Sequence, residues 1–179
     1  MRIISGKHRS RVIKMVDIDT TRETTDKVRG AIFNLLSFYP IEGCCLDLFS
    51  GSGAMGLEAL SRGCSKAYFN DLGKKAYLIT KENCKALGYS NEVVITNLDY
   101  KKALQLYKEP FDLVFLDPPY KLDCCNEIIE FIEKNDLLTN NGLIICEVDK
   151  DTIIKPTEKL EIYKEKNYGI RSVYILRYK

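Results

Sequence analysis

The sequence contains a single histidine, His8, and no C-x-x-C spacing. A zinc site needs several well-spaced nitrogen and sulfur ligands, so no metal is expected. No apolar run approaches the roughly 18 residues that a membrane-crossing helix requires. The first residues, Met1-Arg2-Ile3-Ile4-Ser5-Gly6-Lys7, lack the apolar core of a signal peptide, so a cytoplasmic protein with no membrane partner is expected. Repeats, low-complexity tracts and Pro/Gly-rich linkers are absent too, and nothing in the pattern divides the chain or demands a dimer. An excess of one charge is also missing. The 27 basic and 25 acidic residues leave +2, which by itself gives no reason to expect nucleic acid.

The composition that is present is ordinary for a globular chain: 45% hydrophobic and 29% charged residues, which argues against disorder. A chain of 179 residues has the size of one domain and should bury roughly 70% of its unfolded surface. Residues 1–179 are therefore expected to form a single, monomeric domain. The seven cysteines are odd in number and mostly lie inside apolar runs. They read as small hydrophobes in a reducing compartment.

The charge is divided unevenly. Residues 1–16 hold Arg2, Lys7, Arg9, Arg11 and Lys14 and no acid, a charge of +5, while the remainder carries −3. Two short apolar runs flank residues 5–10, which predicts an N-terminal β-hairpin within a basic arm, residues 1–19. The core, residues 20–179, begins with a helix whose apolar positions are Val28, Ile32, Leu35 and Leu36. Thr24, Thr25 or Asp26 could cap it, and Pro40 marks its end. From residue 43 strands and helices alternate. The predicted strands are 44–49, 67–71, 93–95, 111–116 and 142–148, with a helix over 74–87 among those between them. Strands this apolar are usually covered on both faces. The expected fold is α/β: a Rossmann-like, seven-stranded, mostly parallel sheet with helices on both faces. The alternating stretches 160–164 and 172–176 form a C-terminal antiparallel pair.

Asp47-Leu48-Phe49-Ser50-Gly51-Ser52-Gly53-Ala54-Met55-Gly56 joins a predicted strand to a predicted helix. Glycines there let the backbone approach a ligand. Gly51-x-Gly53-x-x-Gly56 matches the dinucleotide fingerprint, and Asp71 lies where an acid would grip ribose hydroxyls. The turn alone permits NAD or S-adenosylmethionine, or a tight turn with no ligand. Asp47 sharpens the choice, because an acid sits badly beside a pyrophosphate and well beside an ammonium. Asp99, just past the third strand, could accept an adenine amino group or simply cap a helix.

Asp117-Pro118-Pro119-Tyr120 follows the fourth strand, where open sheets bind ligands. Its two prolines stiffen the loop and remove two donors. What remains is a carboxylate, carbonyls and an aromatic ring. These suit a group that only donates, such as a nucleobase amino group, with Tyr120 stacked on the base. A plain rigid turn is the alternative.

Together, Asp47 to Gly56, Asp71, Asp99 and Asp117 to Tyr120 resemble class I S-adenosylmethionine-dependent amino-methyltransferases. More narrowly, the chain resembles the RsmD family of bacterial methyltransferases that modify a guanine N2 in small-subunit ribosomal RNA. Four stretches carry that likeness: Arg2-Ile3-Ile4-Ser5-Gly6; Thr25-Asp26-Lys27-Val28-Arg29 with Phe33-Asn34-Leu35; Gly56-Leu57-Glu58-Ala59-Leu60-Ser61-Arg62-Gly63; and Phe111 to Tyr120. The family's usual Arg-Pro-Thr is Arg22-Glu23-Thr24 here, which loses a rigid proline and adds a charge.

The resemblance implies S-adenosylmethionine as cofactor. Asp47, Phe49, Ser50, Gly51, Ser52 and Gly53 would hold its methionine end, Asp71 its ribose and Asp99 its adenine, with further contacts from Arg22 and Thr24. It implies methyl transfer to a flipped-out guanine held by Asp117, Pro118, Pro119 and Tyr120. The partner would be 16S ribosomal RNA, free or within an assembled particle. Lys7, His8, Arg9, Arg11, Lys14 and Arg29 would contact its phosphates, unless the basic segment is only a solvated hairpin. Three rivals remain. An adenine-N6 methyltransferase shares the Asp-Pro-Pro-Tyr turn, an NAD-dependent oxidoreductase shares the glycines, and an RNA-binding module would have lost its chemistry.

Overall fold

A computed structural model describes residues 1–16, 26–119 and 121–179. Helix α1 (Asp26–Leu35) precedes strand β1 (Cys44–Asp47), α2 (Ala54–Arg62), β2 (Lys66–Asn70), α3 (Lys74–Ala86) and β3 (Val93–Thr96). Then come α4 (Tyr100–Leu106), β4 (Phe111–Leu116), α5 (Cys125–Lys134), β5 (Leu138–Asp149), β6 (Leu160–Tyr168) and β7 (Arg171–Tyr178). The described strands form one seven-stranded sheet in the order β3-β2-β1-β4-β5-β7-β6. The pairings from β3 to β5 are parallel, and those of β7 with β5 and β6 are antiparallel.

Strand side chains alternate between two buried layers, as the two-residue repeat of a strand requires. Cys45, Leu113, Phe115, Leu143 and Ile145 face a core shared with α1, α2 and α3. Leu46, Val114, Leu116, Ile144 and Cys146 face a second core shared with α4 and α5. The α/β sandwich predicted from the apolar runs is therefore present, with helices on both faces. Of the seven cysteines, all free thiols, six are buried.

Three expectations are modified. First, β5 starts earlier than predicted, because Leu138 pairs with Phe111 ahead of a register shift. Second, the C-terminal hairpin joins the sheet with its last strand innermost. Six consecutive residues of β7 are buried, whereas β6 is largely half-exposed; the more apolar strand takes the interior place and β6 the edge. Third, the N-terminal hairpin, held by the Arg2–Val12 bridge and by the Ile3 and Ile13 amides donating to the Arg11 and Met1 carbonyls, is packed onto the body and does not project as an arm. Ile3 and Ile13 are buried in the first core.

Candidate active site

The strand order reverses between β1 and β4: β1 leads outward to β2 and β3, and β4 leads the other way. Loops leaving the carboxyl ends of two such strands diverge and open a crevice. A cleft of about 350 Å³ lies there, at the small end of the usual range for ligand sites. It is lined by Asp47, Phe49, Ser50, Gly51 and Ser52 after β1, by Asp71 and Asp99, and by Asp117, Pro118 and Pro119 after β4. Residues 70 positions apart in sequence thus share one cavity. Tyr120, Arg22 and Thr24, also expected here, lie outside the described residues.

The glycine turn is held from below. Gly53 has φ 81° and starts α2 without a side-chain cap, a conformation that a residue with Cβ adopts only under strain. The Gly53 amide donates to the Ser50 carbonyl at 2.6 Å. Gly53 itself does not line the cleft; it shapes the turn behind it. From α3, Thr80 Oγ1 donates to the Gly51 carbonyl at 3.0 Å and Asn83 Nδ2 to the Ser52 carbonyl at 2.8 Å. Asn70, at the end of β2, donates to the Leu48 and Leu98 carbonyls and accepts from the Leu98 amide. It ties the loops after β1 and β3 together.

The acids differ in environment. Asp47 is buried, and its one hydrogen bond among the described residues comes from the Gly56 amide at 3.1 Å. Burial outweighs that bond, and nearby Asp71 adds repulsion, so the carboxyl is pushed up to about 7. Asp71 accepts from the Gly51 and Gly73 amides, both at 2.8 Å; burial still raises its pKa against those two bonds. Asp99 caps α4, accepting from the Lys101 amide at 2.9 Å, and also lines the cleft. Asp99 thus caps a helix and faces the cleft at once. A buried carboxylate with no cationic partner among the described residues, beside backbone held open by glycine, suits a ligand that brings its own positive charge.

No motif or spacing marks Arg171 as a site residue. At the start of β7 it lines the same cleft, with Asp117 Oδ1 at 3.8 Å. Only the pairing of β7 beside β5 brings it there.

The basic residues fall into two groups. Arg29 is fully buried, bonded to Asp26 Oδ1 at 2.9 Å and to the Arg2 carbonyl, with Glu58 at 3.7 Å. This corrects its expected place on an RNA surface: the helix turns it inward onto a buried carboxylate. Lys7, Arg9, Arg11 and Lys14 are exposed. Burial, then Lys7 and Arg11, lower the pKa of His8 and disfavour its cationic form. Its ring stands edge-on to Tyr89 at 5.1 Å.

The loop that bears these residues is docked. Glu58 accepts from the Ile4 and Ser5 amides, and Ser61 binds the Ser5 carbonyl and the His8 amide. The stretches Arg2–Gly6 and Gly56–Gly63 are thus the two halves of one contact. Met1 and Val16, at its two ends, line the cleft. Its tip meets Ser61 and, through Arg11, the Ala86 carbonyl at the far end of α3. Ser61 lies eight residues along α2 from Gly53, so that tip is roughly 12 Å from the glycine turn. Exposed Lys74, Lys81 and Lys85 lie on α3.

Residues 1–177 match the family model described as Conserved hypothetical protein 95. The chain is 37% identical over 177 residues to ribosomal RNA small subunit methyltransferase D of Haemophilus influenzae, covering 96% of this chain and 91% of that protein. It superimposes on an Escherichia coli structure provisionally named methyltransferase yhhF with TM-score 0.86 and 30% identity, over 100% of this chain and 98% of that one. A conserved hypothetical protein of Streptococcus pyogenes gives TM-score 0.80 at 37% identity, over 85% and 96% of the two chains.

Proposed function

The chain belongs to the RsmD family, and on that premise we propose that it is an S-adenosylmethionine-dependent methyltransferase of small-subunit ribosomal RNA, acting on the N2 amino group of a guanine. The observation that carries this reading is the shared cleft. The acceptor turn Asp117-Pro118-Pro119 faces the glycine turn and its acids across the switch point of the sheet.

In this reading Asp47 takes the ammonium of the cofactor, Asp71 the ribose hydroxyls and Asp99 the adenine amino group. Each oxygen of Asp71 that already accepts an amide keeps a second lone pair for a hydroxyl. When bound, S-adenosylmethionine supplies an electrophilic methyl group. The Asp117 carboxylate and the Pro118 carbonyl accept hydrogen bonds from the substrate amino group. This localises the nitrogen lone pair, which ring conjugation otherwise withdraws. The turn is pre-formed: the Pro119 carbonyl already accepts the Leu122 amide at 2.8 Å, and two prolines limit its freedom. Most of the acceleration comes from positioning and fixed acceptors. An ordinary carboxylate is too weak a base to deprotonate a neutral aryl amine. Asp117 therefore receives the proton only after the nitrogen has become cationic.

The RNA lies over the exposed cations. Lys7, Arg9 and Arg11 at the loop tip do not line the cleft; they hold flanking phosphates. Lys14, Lys81, Lys85 and Lys74 continue the same face toward the cleft.

Two measurements test the reading. Asp117→Ala should lower single-turnover methyl transfer by at least 100-fold, a typical scale for losing a fixed group at the reacting atom, while S-adenosylhomocysteine still binds. Near-normal turnover would remove Asp117 from the reaction. Mass spectrometry of ribosomal RNA from cells lacking the protein should show loss of one N2-methylguanine. Loss of an N6-methyladenine instead would overturn the guanine assignment.

A further inference from the structure

Strand pairing builds an ionic cluster on the cleft wall. Leu116 of β4 pairs with Cys146 of β5, so Asp117 and Glu147 leave neighbouring strands side by side. Across the next pairing, Asp149 of β5 is opposite Arg171 of β7. The Arg171 guanidinium lies 3.8 Å from Asp117 Oδ1, 3.7 Å from Glu147 Oε1 and 3.5 Å from Asp149 Oδ1. Arg171 and Glu147 are buried, whereas the Asp117 side chain keeps 26% of its exposure on the cleft side.

One cation thus serves three carboxylates. The groups that face Asp117 are Arg171 from β7, Glu147 and Asp149 from β5, Asp47 across the cleft from β1, and the Cys125 thiol from α5. All but Arg171 are anions or potential anions. A like charge at this range favours protonation of a carboxyl, and an opposite charge favours ionisation by one to three pH units. A guanidinium stays charged at every working pH and offers five donors in a fixed plane. Its charge favours the ionised, accepting form of Asp117 against the neighbouring acids.

We propose that Arg171 is a positioning residue for methyl transfer, holding the Asp117 carboxylate ionised and turned toward the substrate amino group. The inference rests on the reading of Asp117 given above. A protonated Asp117 would present a donor to a donor, and the amino group would lose its acceptor.

The test is the pH dependence of single-turnover methyl transfer between pH 5 and 9, with small-subunit ribosomal RNA particles from cells lacking the protein and saturating S-adenosylmethionine. Saturation keeps the titration of Asp47 out of the profile. Arg171→Gln should move the acid limb up by about one to three units, so that the rate at pH 5 falls at least twofold below that at pH 9 while the parent changes less. Arg171→Lys should restore most of the parent profile. A rate lowered equally at every pH in Arg171→Gln would overturn the proposal, because loosened packing alone has no acid limb. If Arg171→Gln fails to fold, Glu147→Gln takes its place. Removing a competing acid should leave no limb in the window, and a new limb there would refute the clamp. Full turnover in Asp117→Ala would instead sink the reading of Asp117 itself.

Discussion

Replacing Asp47 by Asn should stabilise the ligand-free protein while weakening its hold on S-adenosylhomocysteine. The Asp47 carboxyl titrates near 3.8 when unperturbed and at about 7 in the fold, chiefly because burial disfavours its charge. Below pH 3.8 both folded and unfolded chains carry the proton and the residue costs nothing. As pH rises from there to 7, the unfolded chain gains by ionising and the folded one does not. Stability is lost across that window and stays lost above it. Three units correspond to about 4 kcal/mol. Asn cannot ionise and can still accept the Gly56 amide. For a chain of this length 1 kcal/mol is worth about 2–4 °C in Tm. The Asn variant should therefore melt several degrees higher at pH 8, with an upper limit of about 15 °C, and at the same temperature as the parent below pH 4. Scanning calorimetry of both proteins without cofactor, at pH 4, 6 and 8, reads this directly, because their difference cancels every other titration. Isothermal calorimetry at pH 8 should show at least tenfold weaker binding of S-adenosylhomocysteine by the variant. The parent's affinity should fall about tenfold per unit below pH 7, as the ammonium requires an ionised partner. A melting difference independent of pH, or a variant less stable at pH 8, would refute the argument from burial.

Gly6→Ala should undock the basic loop: Gly6 has φ +82° and an added Cβ would lie 1.7 Å from the Ser61 carbonyl oxygen. The cost is at least about 1–2 kcal/mol from the left-handed backbone. Hydrogen exchange of the Ile4, Ser5 and Lys7 amides should quicken; unchanged protection would mean that the loop tolerates the clash. Neutralising Lys7, Arg9 and Arg11 together should reduce the salt slope of RNA affinity by about 2–3, one increment per lost phosphate contact. An unchanged slope would dismiss the loop tip as an RNA contact.

The glycine turn and the Asp117-Pro118-Pro119 turn could be read directly, because each is local. A few consecutive residues fix the backbone, and a strand's carboxyl end puts the group where open sheets bind ligands. The alternation of apolar runs foretold the sheet and its two covered faces for the same reason. Cations could be counted in the sequence, but their surroundings could not. Arg29 and Arg9 look alike there, yet one is fully buried against Asp26 and Glu58 and the other is exposed. The helical register of α1 and its packing on α2 decide the difference.

By itself the sequence determined the strand–helix alternation, both ligand turns and the excess of positive charge at the start. Each follows from neighbouring residues. The tertiary structure alone decided that the basic loop docks on the carboxyl ends of α2 and α3, with Lys7, Arg9 and Arg11 outside the cleft lining. It also decided that Asn70 and Asn83 brace the glycine turn, and that Arg171 stands beside Asp117. The last depends on β7 entering the sheet between β5 and β6. Such contacts join residues far apart in the chain, and only the burial of a whole strand or helix face fixes which side chains meet.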